Sequence, residues 1–457
     1  MPNDKALDAL SSFLGDRFST SKGVLEAHAQ SETFVTAPPP EGVAFPETTE
    51  EVTEIVRICA EHDCPVIGWG AGTSLEGHAL ALRGGVTVDF SRMNKILAID
   101  VEDMNAIVQP GVTREELNHE LRATGLFFPV DPGANATLGG MAATRASGTT
   151  AVRYGTMRDN VKALEVVLAD GRVIRTGTKA RKSSTGYDLT GLMVGSEGTL
   201  GLMTELTLRL QAQPEATSAA VCAFETIDQA IATAMTTIQM AIPMARIELL
   251  DGTGVAAVNA YSKTSLPECA HLLVEFHGSE TSVKEDAERF GEIAEEFEAK
   301  SFDWATRQED RTRLWAARHN AYWALQAYKP STTGFSTDIC VPISKLGQAI
   351  ADTNKALEEA DFIASIIGHV GDGNYHVNMF VDVSDPVQKE QAKAQAEGMA
   401  ERALKLGGTV SGEHGIGFGK LKFMRQEHGD AWDVMGQIKR TLDPQNIMNP
   451  GKMVPGN

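Results

Sequence analysis

From Thr48 the apolar residues of TTEEVTEIVRICAEHD return every three or four positions, the spacing that puts them on one face of a helix. PVIGWG follows as a short apolar run and reads as a buried strand that opens into a glycine-rich loop. Beyond it, GVTVDF and NAIVQPGV are strand-like, and REELNHELRATG is helical with Gly125 as its stop. LEVVLADGRVIRT predicts a hairpin centred on Asp170-Gly171. This α+β half closes near Gln213-Pro214. A second half starts near Ala219 and alternates the strands AAVCAF, RIELL, HLLVEFHG, IASIIGHV and YHVNMFV with amphipathic helices near 280–299, 307–328, 344–360 and 386–406. The pattern predicts helices covering one face of a sheet. Residues 1–37 read as a short helix and an arm, and Pro38, Pro39 and Pro40 stiffen the chain that follows. The expected division is a lead-in over 1–37, a first domain over 38–215 and a second over 216–457, all α+β. The end of the chain, a short helix from Trp432 and then DPQNIMNPGK, needs another surface to lie on.

Composition narrows the class. The 457 residues allow about three domains at ~150 residues each, or two large ones. With 42% apolar and 22% charged residues, disordered, collagenous and disulfide-framework proteins are excluded. The net charge of −20 repels phosphate backbones and anionic lipid, so nucleic acid is not an expected partner and an anionic substrate needs a local cation. Cys59, Cys64, Cys222, Cys269 and Cys340 are odd in number and lack CxxC spacing, which suits a reducing cytoplasm. The acidic start, MPNDKALDALSSFLGDRF, has no signal-peptide pattern, and Gln229 to Ala245 is too short and polar for a transmembrane segment. A cytoplasmic location follows, with peripheral contact at an inner membrane left open.

Three segments rich in small residues lie in the first half. GWGAGTSLEGHAL places Gly68, Gly70, Gly72 and Gly77 directly after a strand, so backbone N–H groups can turn toward an anion without Cβ obstruction. A GxGxxG begun at Gly68 ends on Thr73, one begun at Gly70 ends on Leu75, and GxxxxGK[ST] is absent, which argues against both common nucleotide loops. Taken singly, such a loop is as compatible with mere tight turns as with a phosphate cradle. The second segment, DPGANATLGGMAATRASGTTAVRYGTMRDNV, and the third, GLMVGSEGTLGLMTELTLRL, change that reading, because three such stretches can line one elongated ligand. Thr73, Ser74, Thr137 and Thr144 add hydroxyl donors, and a dinucleotide is the expected occupant.

A different chemistry is written in the second half. IASIIGHVGDGNYHVNMF predicts a hairpin turning at Asp372-Gly373, in which residues pair when their numbers sum to 745 and His369 directly faces His376. Two imidazoles on one sheet face at ~5 Å suit a single ion. SGEHGIGFGK adds Glu413 and His414, which as neighbours in extended chain point to opposite sides. Glu413 is expected as the third ligand, in a set with open positions suited to zinc, manganese or iron. His414 is then placed to act as a general base.

These runs carry a resemblance. GVTREELNHELRATGLFFPVDPGANATLGGMAAT, VRYGTMRDNV and VGSEGTLGL are similar to the FAD-linked D-2-hydroxy-acid dehydrogenases of the vanillyl-alcohol oxidase superfamily, its cytochrome-type D-lactate dehydrogenases above all, and the likeness spans about Pro38 to Lys452. It implies an FAD-binding PCMH-type domain followed by a FAD-linked oxidase C-terminal α+β domain for substrate and metal, with the tail packing back near the flavin. Gly70, Ala71, Gly72, Thr73, Ser74 and Gly77 would then hold the FAD pyrophosphate. Pro132, Thr137, Gly139, Gly140, Thr144, Ser147, Gly148 and Tyr154 would lie along the isoalloxazine and ribityl chain, Glu197, Gly198 and Gly201 near the adenosine half, and Asn449 also at the cofactor. Arg145 and His78 stand where small residues are expected, and His78 leaves a covalent flavin link open beside the expected noncovalent one.

The resemblance assigns the same ligand and base roles to His369, His376, Glu413 and His414, and makes Arg318 the substrate arginine with Tyr322 one helical turn on. Relatives acting on longer diacids carry a lysine near FSTDIC, where this chain has Ser336, which favours a small monocarboxylate. The implied reaction is oxidation of a D-2-hydroxy acid, D-lactate first, to the 2-keto acid by hydride transfer to flavin N5, across a gap between metal and flavin that fits a small acid. A cytochrome, quinone or electron-transfer flavoprotein would reoxidise the flavin, and a homodimer is left open. Glycolate or D-2-hydroxyglutarate oxidation, a metal-dependent hydrolase and a noncatalytic flavin electron carrier stand as alternatives.

Overall fold

A computed structural model describes residues 3–33 and 35–455. The chain forms two compact units, the first from residues 1–148, 155–213 and 413–457 and the second from 149–154 and 214–412. Residues 413–455 thus belong with the first half of the chain rather than with the sequence that precedes them.

In the first unit a four-stranded sheet runs in the order Phe18–Ser19, Gly42–Ala44, Val86–Asp89, Val66–Trp69, with the last three strands parallel. The predicted helix is present as Thr49–Glu61, capped by the Thr48 side chain on the Glu51 N–H, and buries Val52, Ile55, Val56 and Cys59. The N-terminal helix Asp4–Leu14 buries Ala6, Leu7, Leu10 and Leu14 in the same core, so this part of the expected lead-in is structural. The tail is ordered by the same sheet, because Val66 donates to Ile447 O and accepts from Asn449 N–H.

This unit also contains a five-stranded antiparallel sheet, in the order Ile96–Asp100, Asn105–Val108, Leu202–Arg209, Val161–Val167, Val173–Gly177. Its last two strands are the predicted hairpin. Their pairing of Val167 with Val173 centres the turn on Asp170, and Gly171 takes the left-handed conformation.

The second unit is built on an eight-stranded antiparallel sheet whose centre runs Ala216–Phe224, Ala270–Gly278, Met244–Leu250, Ile363–His369, Asn374–Val381. Helices cover both faces, not one as the sequence pattern suggested. Ile231, Phe290, Leu346 and Met399 come from the helices of one face, and Val258, Trp315, Ala321 and Leu325 from those of the other. The reason lies in the strands. Asn374–Val381 is buried at every position and Ala270–Gly278 at all but the last, which demands cover on both sides.

The central hairpin also differs in register. Its partners sum to 743, so His376 faces Ile367 and His369 faces Asn374. The turn is longer than a two-residue hairpin, with Asp372 N–H donating to His369 O and Gly373 left-handed at φ 79°. A slip of two positions preserves side-chain parity, so the two histidines still share a face.

Candidate active site

His369 and His376 end up as diagonal neighbours on the hairpin, their ring centroids 5.3 Å apart and their planes at 82°. Both are buried, and each is anchored through Nδ1. His369 Nδ1 meets Glu248 Oε1 at 2.6 Å, and His376 Nδ1 meets the Thr337 carbonyl at 2.8 Å. Those acceptors assign the proton to Nδ1 and put the lone pair on Nε2, the arrangement of a metal-binding imidazole held by an outer partner.

The stretch leading to Glu413 is fixed from this unit. Ser411 Oγ donates to Asp338 Oδ2 at 2.7 Å, and Asn374 Nδ2 donates to Asp338 Oδ1 at 2.7 Å. A Cβ on Gly412 would overlap the Asn374 amide, so only glycine lets the chain pass there. Glu413, expected as the third ligand, is bonded directly to Gly412 and begins the segment that belongs to the first unit. Two imidazoles on one sheet face, each anchored through Nδ1, fit a divalent ion of the zinc, manganese or iron class. His414 follows Glu413 in the chain.

Arg318 lies on the helix Gln308–Tyr328 and donates from Nε to Glu248 Oε2 at 2.8 Å. Glu248 is completely buried on the strand Met244–Leu250 and holds Arg318 with one oxygen and His369 with the other. Burial opposes its ionisation, yet the hydrogen bonds from His369 and Arg318 and the positive guanidinium prevail and keep its carboxyl below the ordinary value. Tyr322, four residues beyond Arg318, packs on Phe380 of the sheet with ring centroids 5.8 Å apart. Ser336 ends the strand Thr333–Ser336.

Tyr154 belongs to the second unit. Its hydroxyl meets His277 Nδ1 at 2.7 Å, and His277 Nε2 meets Glu275 Oε1 at 2.7 Å. Sequence reasoning missed Glu248, Glu275 and His277. A signal was present, since RIELL carries Arg246 and Glu248, and HLLVEFHG carries His271, Glu275 and His277, at even spacings that put them on one side of strands otherwise apolar enough to be buried. Asp338, missed as well, stands only two residues from Ser336.

The first unit contains the remaining predicted cofactor residues: Gly70 to Gly77, Pro132 to Gly148, Glu197 to Gly201 and Asn449. Gly72 and Gly77 have φ of 71° and 75°, and a Cβ on Gly70 would strike the Thr137 hydroxyl. Thr137 also caps the helix Leu138–Thr144 by accepting from Gly140 N–H. Turns of this kind, free of side chains and rich in N–H groups, fit a phosphate-bearing dinucleotide.

Glu197 and Asn449 spend their side chains on the protein itself. Glu197 accepts from Ile416 N–H at 2.7 Å and Gly417 N–H at 2.8 Å, with His78 Nε2 at 3.3 Å. Burial opposes ionisation of Glu197, and His78 and the two amides overcome it to hold its carboxyl below the ordinary value. Asn449 donates to His78 O at 3.0 Å and Glu197 O at 2.6 Å. Buried Lys452 donates to His78 O, Leu80 O and Asn449 Oδ1. Arg145, unexpected among small residues, folds onto the Val194 carbonyl through Nε and Nη2 at 3.3 and 3.0 Å.

Residues 40–177 match the FAD binding domain family, and residues 213–453 match the family described as FAD linked oxidases, C-terminal domain. The chain belongs to the FAD-linked oxidases. This FAD-linked oxidase is 44% identical over 456 residues to "Probable D-lactate dehydrogenase, mitochondrial" of Danio rerio, covering 99% of this chain and 92% of that one. It is 45% identical over 417 residues to "D-lactate dehydrogenase [cytochrome], mitochondrial" of Arabidopsis thaliana, covering 91% and 74%. It is also 37% identical to "Glycolate oxidase subunit GlcD" of Bacillus subtilis over 419 residues, 91% of this chain and 89% of that one. The fold is shared with p-cresol methylhydroxylase at TM-score 0.79 and 20% identity, covering 99% of this chain and 96% of that one. Alkyldihydroxyacetonephosphate synthase gives TM-score 0.78 at 20% identity, covering 98% and 86%. No helix among the described residues of the oxidase is long and apolar enough to cross a membrane.

Proposed function

We propose that this FAD-linked oxidase is a dehydrogenase that oxidises a small D-2-hydroxy acid, D-lactate, to the 2-keto acid. The observation that carries the reading is the buried pair His369 and His376 on one sheet face, with Arg318 held through Glu248 to His369. The D-lactate dehydrogenases among its relatives support the choice of acid.

Arg318 binds the substrate carboxylate, a role that the planar guanidinium performs with paired hydrogen bonds. His369, His376 and Glu413 would hold a divalent cation of the zinc, manganese or iron class, whose chemistry is to lower the pKa of a bound hydroxyl. His414 accepts the proton of the 2-hydroxyl. FAD, when bound, supplies the two-electron acceptor for the hydride leaving the 2-carbon. The carbon loses a hydride and its oxygen a proton, which yields the keto acid. The word "cytochrome" in one relative's name supports a cytochrome as the final electron acceptor.

Anaerobic mixing tests the proposal. D-lactate should bleach the flavin band at roughly 450 nm and L-lactate should not, since the flavin carries the electrons. A flavin that no hydroxy acid reduces would end the reading. Glycolate is the second candidate, favoured by the GlcD relative and consistent with Ser336 in place of a lysine. Faster bleaching by glycolate than by D-lactate would select it.

A further inference from the structure

We infer that Glu248 is a positioning residue that couples the substrate arginine to the metal-binding histidine, an inference that rests on the function proposed above. The carboxylate is wholly buried and bidentate in a particular sense: Oε1 takes the His369 Nδ1–H at 2.6 Å, and Oε2 takes the Arg318 Nε–H at 2.8 Å. Each oxygen therefore serves a different functional group. By occupying Nδ1, Glu248 sends the His369 lone pair out through Nε2, the atom needed for an ion. By occupying Nε, it leaves the paired Nη edge of Arg318 for a substrate carboxylate.

Stability alone gives little reason for such a group. A buried ion pair commonly contributes no more than apolar residues of the same volume, because desolvation offsets the attraction. The strand Met244–Leu250 belongs to a sheet with helices on both faces, and an apolar residue would fill position 248 without the desolvation penalty. What an apolar residue cannot do is fix an imidazole tautomer and a guanidinium edge at once. Since both groups lean on one rigid carboxylate, a shift of either is felt by the other, and binding of acid and binding of ion become linked.

Glu248→Gln separates the two duties, because the amide has one acceptor oxygen and its nitrogen cannot accept from either donor. In the full-length flavoprotein, manganese(II) and zinc(II) affinity is measured by chelator competition, alongside flavin absorbance, melting temperature and the KM and kcat for D-lactate. Expected for Glu248→Gln is a loss of roughly 10–100-fold in metal affinity, as for other outer partners of metal ligands. The KM for D-lactate should rise by about tenfold or more with flavin content unchanged, and Glu248→Asp, which keeps two acceptors, should recover part of both.

Arg318→Lys gives a route that leaves position 248 intact. Coupling predicts weaker metal retention in this variant too, although Arg318 is no ligand. Unchanged metal affinity in both variants, or a fall in metal affinity that only follows a fall in flavin content and melting temperature, would overturn the inference. A wild-type protein that holds no metal and is not bleached by D-lactate would instead overturn the functional reading beneath it.

Discussion

The two units of the molecule anchor the polar side chains of their candidate sites with different emphasis. In the first, buried charged and amide groups address the backbone: Glu197 takes two amide N–H groups, and Asn449 and Lys452 reach carbonyls. In the second, side chains join one another in Arg318–Glu248–His369 and Tyr154–His277–Glu275, while His376 leans on the Thr337 carbonyl. The contrast follows from what each unit must hold. Loops that wrap a long cofactor need their main chain fixed and their side chains small. A reacting acid needs ionisable side chains aimed with fixed tautomers.

The sharpest test of that contrast removes a reacting group without touching the loops. His414→Ala should keep flavin bound and slow anaerobic reduction by D-lactate about 10²–10⁴-fold, the usual contribution of a general base. Retained reduction would take His414 out of its role. His369→Ala should release metal while FAD stays, as elemental analysis and the visible spectrum would show.

Next in size is an attack on the backbone anchors. Glu197→Ala strands two buried amides, and should cost about 3 kcal/mol, or a melting temperature lower by several degrees. Gly70→Ala drives a methyl group into the Thr137 hydroxyl and should weaken FAD binding by about tenfold, the lower range expected for overpacking, with metal content unchanged. Loss of metal in that variant would blur the division between the units.

The smallest effect concerns pH. Burial of His28 opposes protonation, but its hydrogen bond to Asp89 at 3.0 Å wins, so its pKa is raised above the usual His value. The unfolded chain titrates near about 6.5, so this contribution to stability is complete below that pH and is lost as pH rises through the higher folded value. Melting temperature should therefore drift down between about pH 6 and pH 8, and His28→Gln should remove this component of the slope.

Much of this was legible in the chain. The helix at Thr49–Glu61, the central hairpin and the three small-residue segments are local features, dictated by periodicity, turn residues and the absence of Cβ atoms. His369 and His376 were legible as a pair because parity along a strand survives a two-residue slip in register, even though the expected direct opposition did not. Cover on both faces of the sheet was harder to read, since short apolar runs do not say how many sides they bury.

What the sequence alone determined, then, was the inventory: glycine loops for a cofactor, two histidines on one sheet face, and an EH pair flanked by glycines. Only the tertiary structure decided that Glu248 ties Arg318 to His369, across 70 and 121 residues of chain. The same is true of Glu197, which fixes amides 219 and 220 positions away. Such partners leave no periodic trace. A buried carboxylate is chosen by the donors that folding brings to it, and those donors become neighbours only when separate strands and helices have packed.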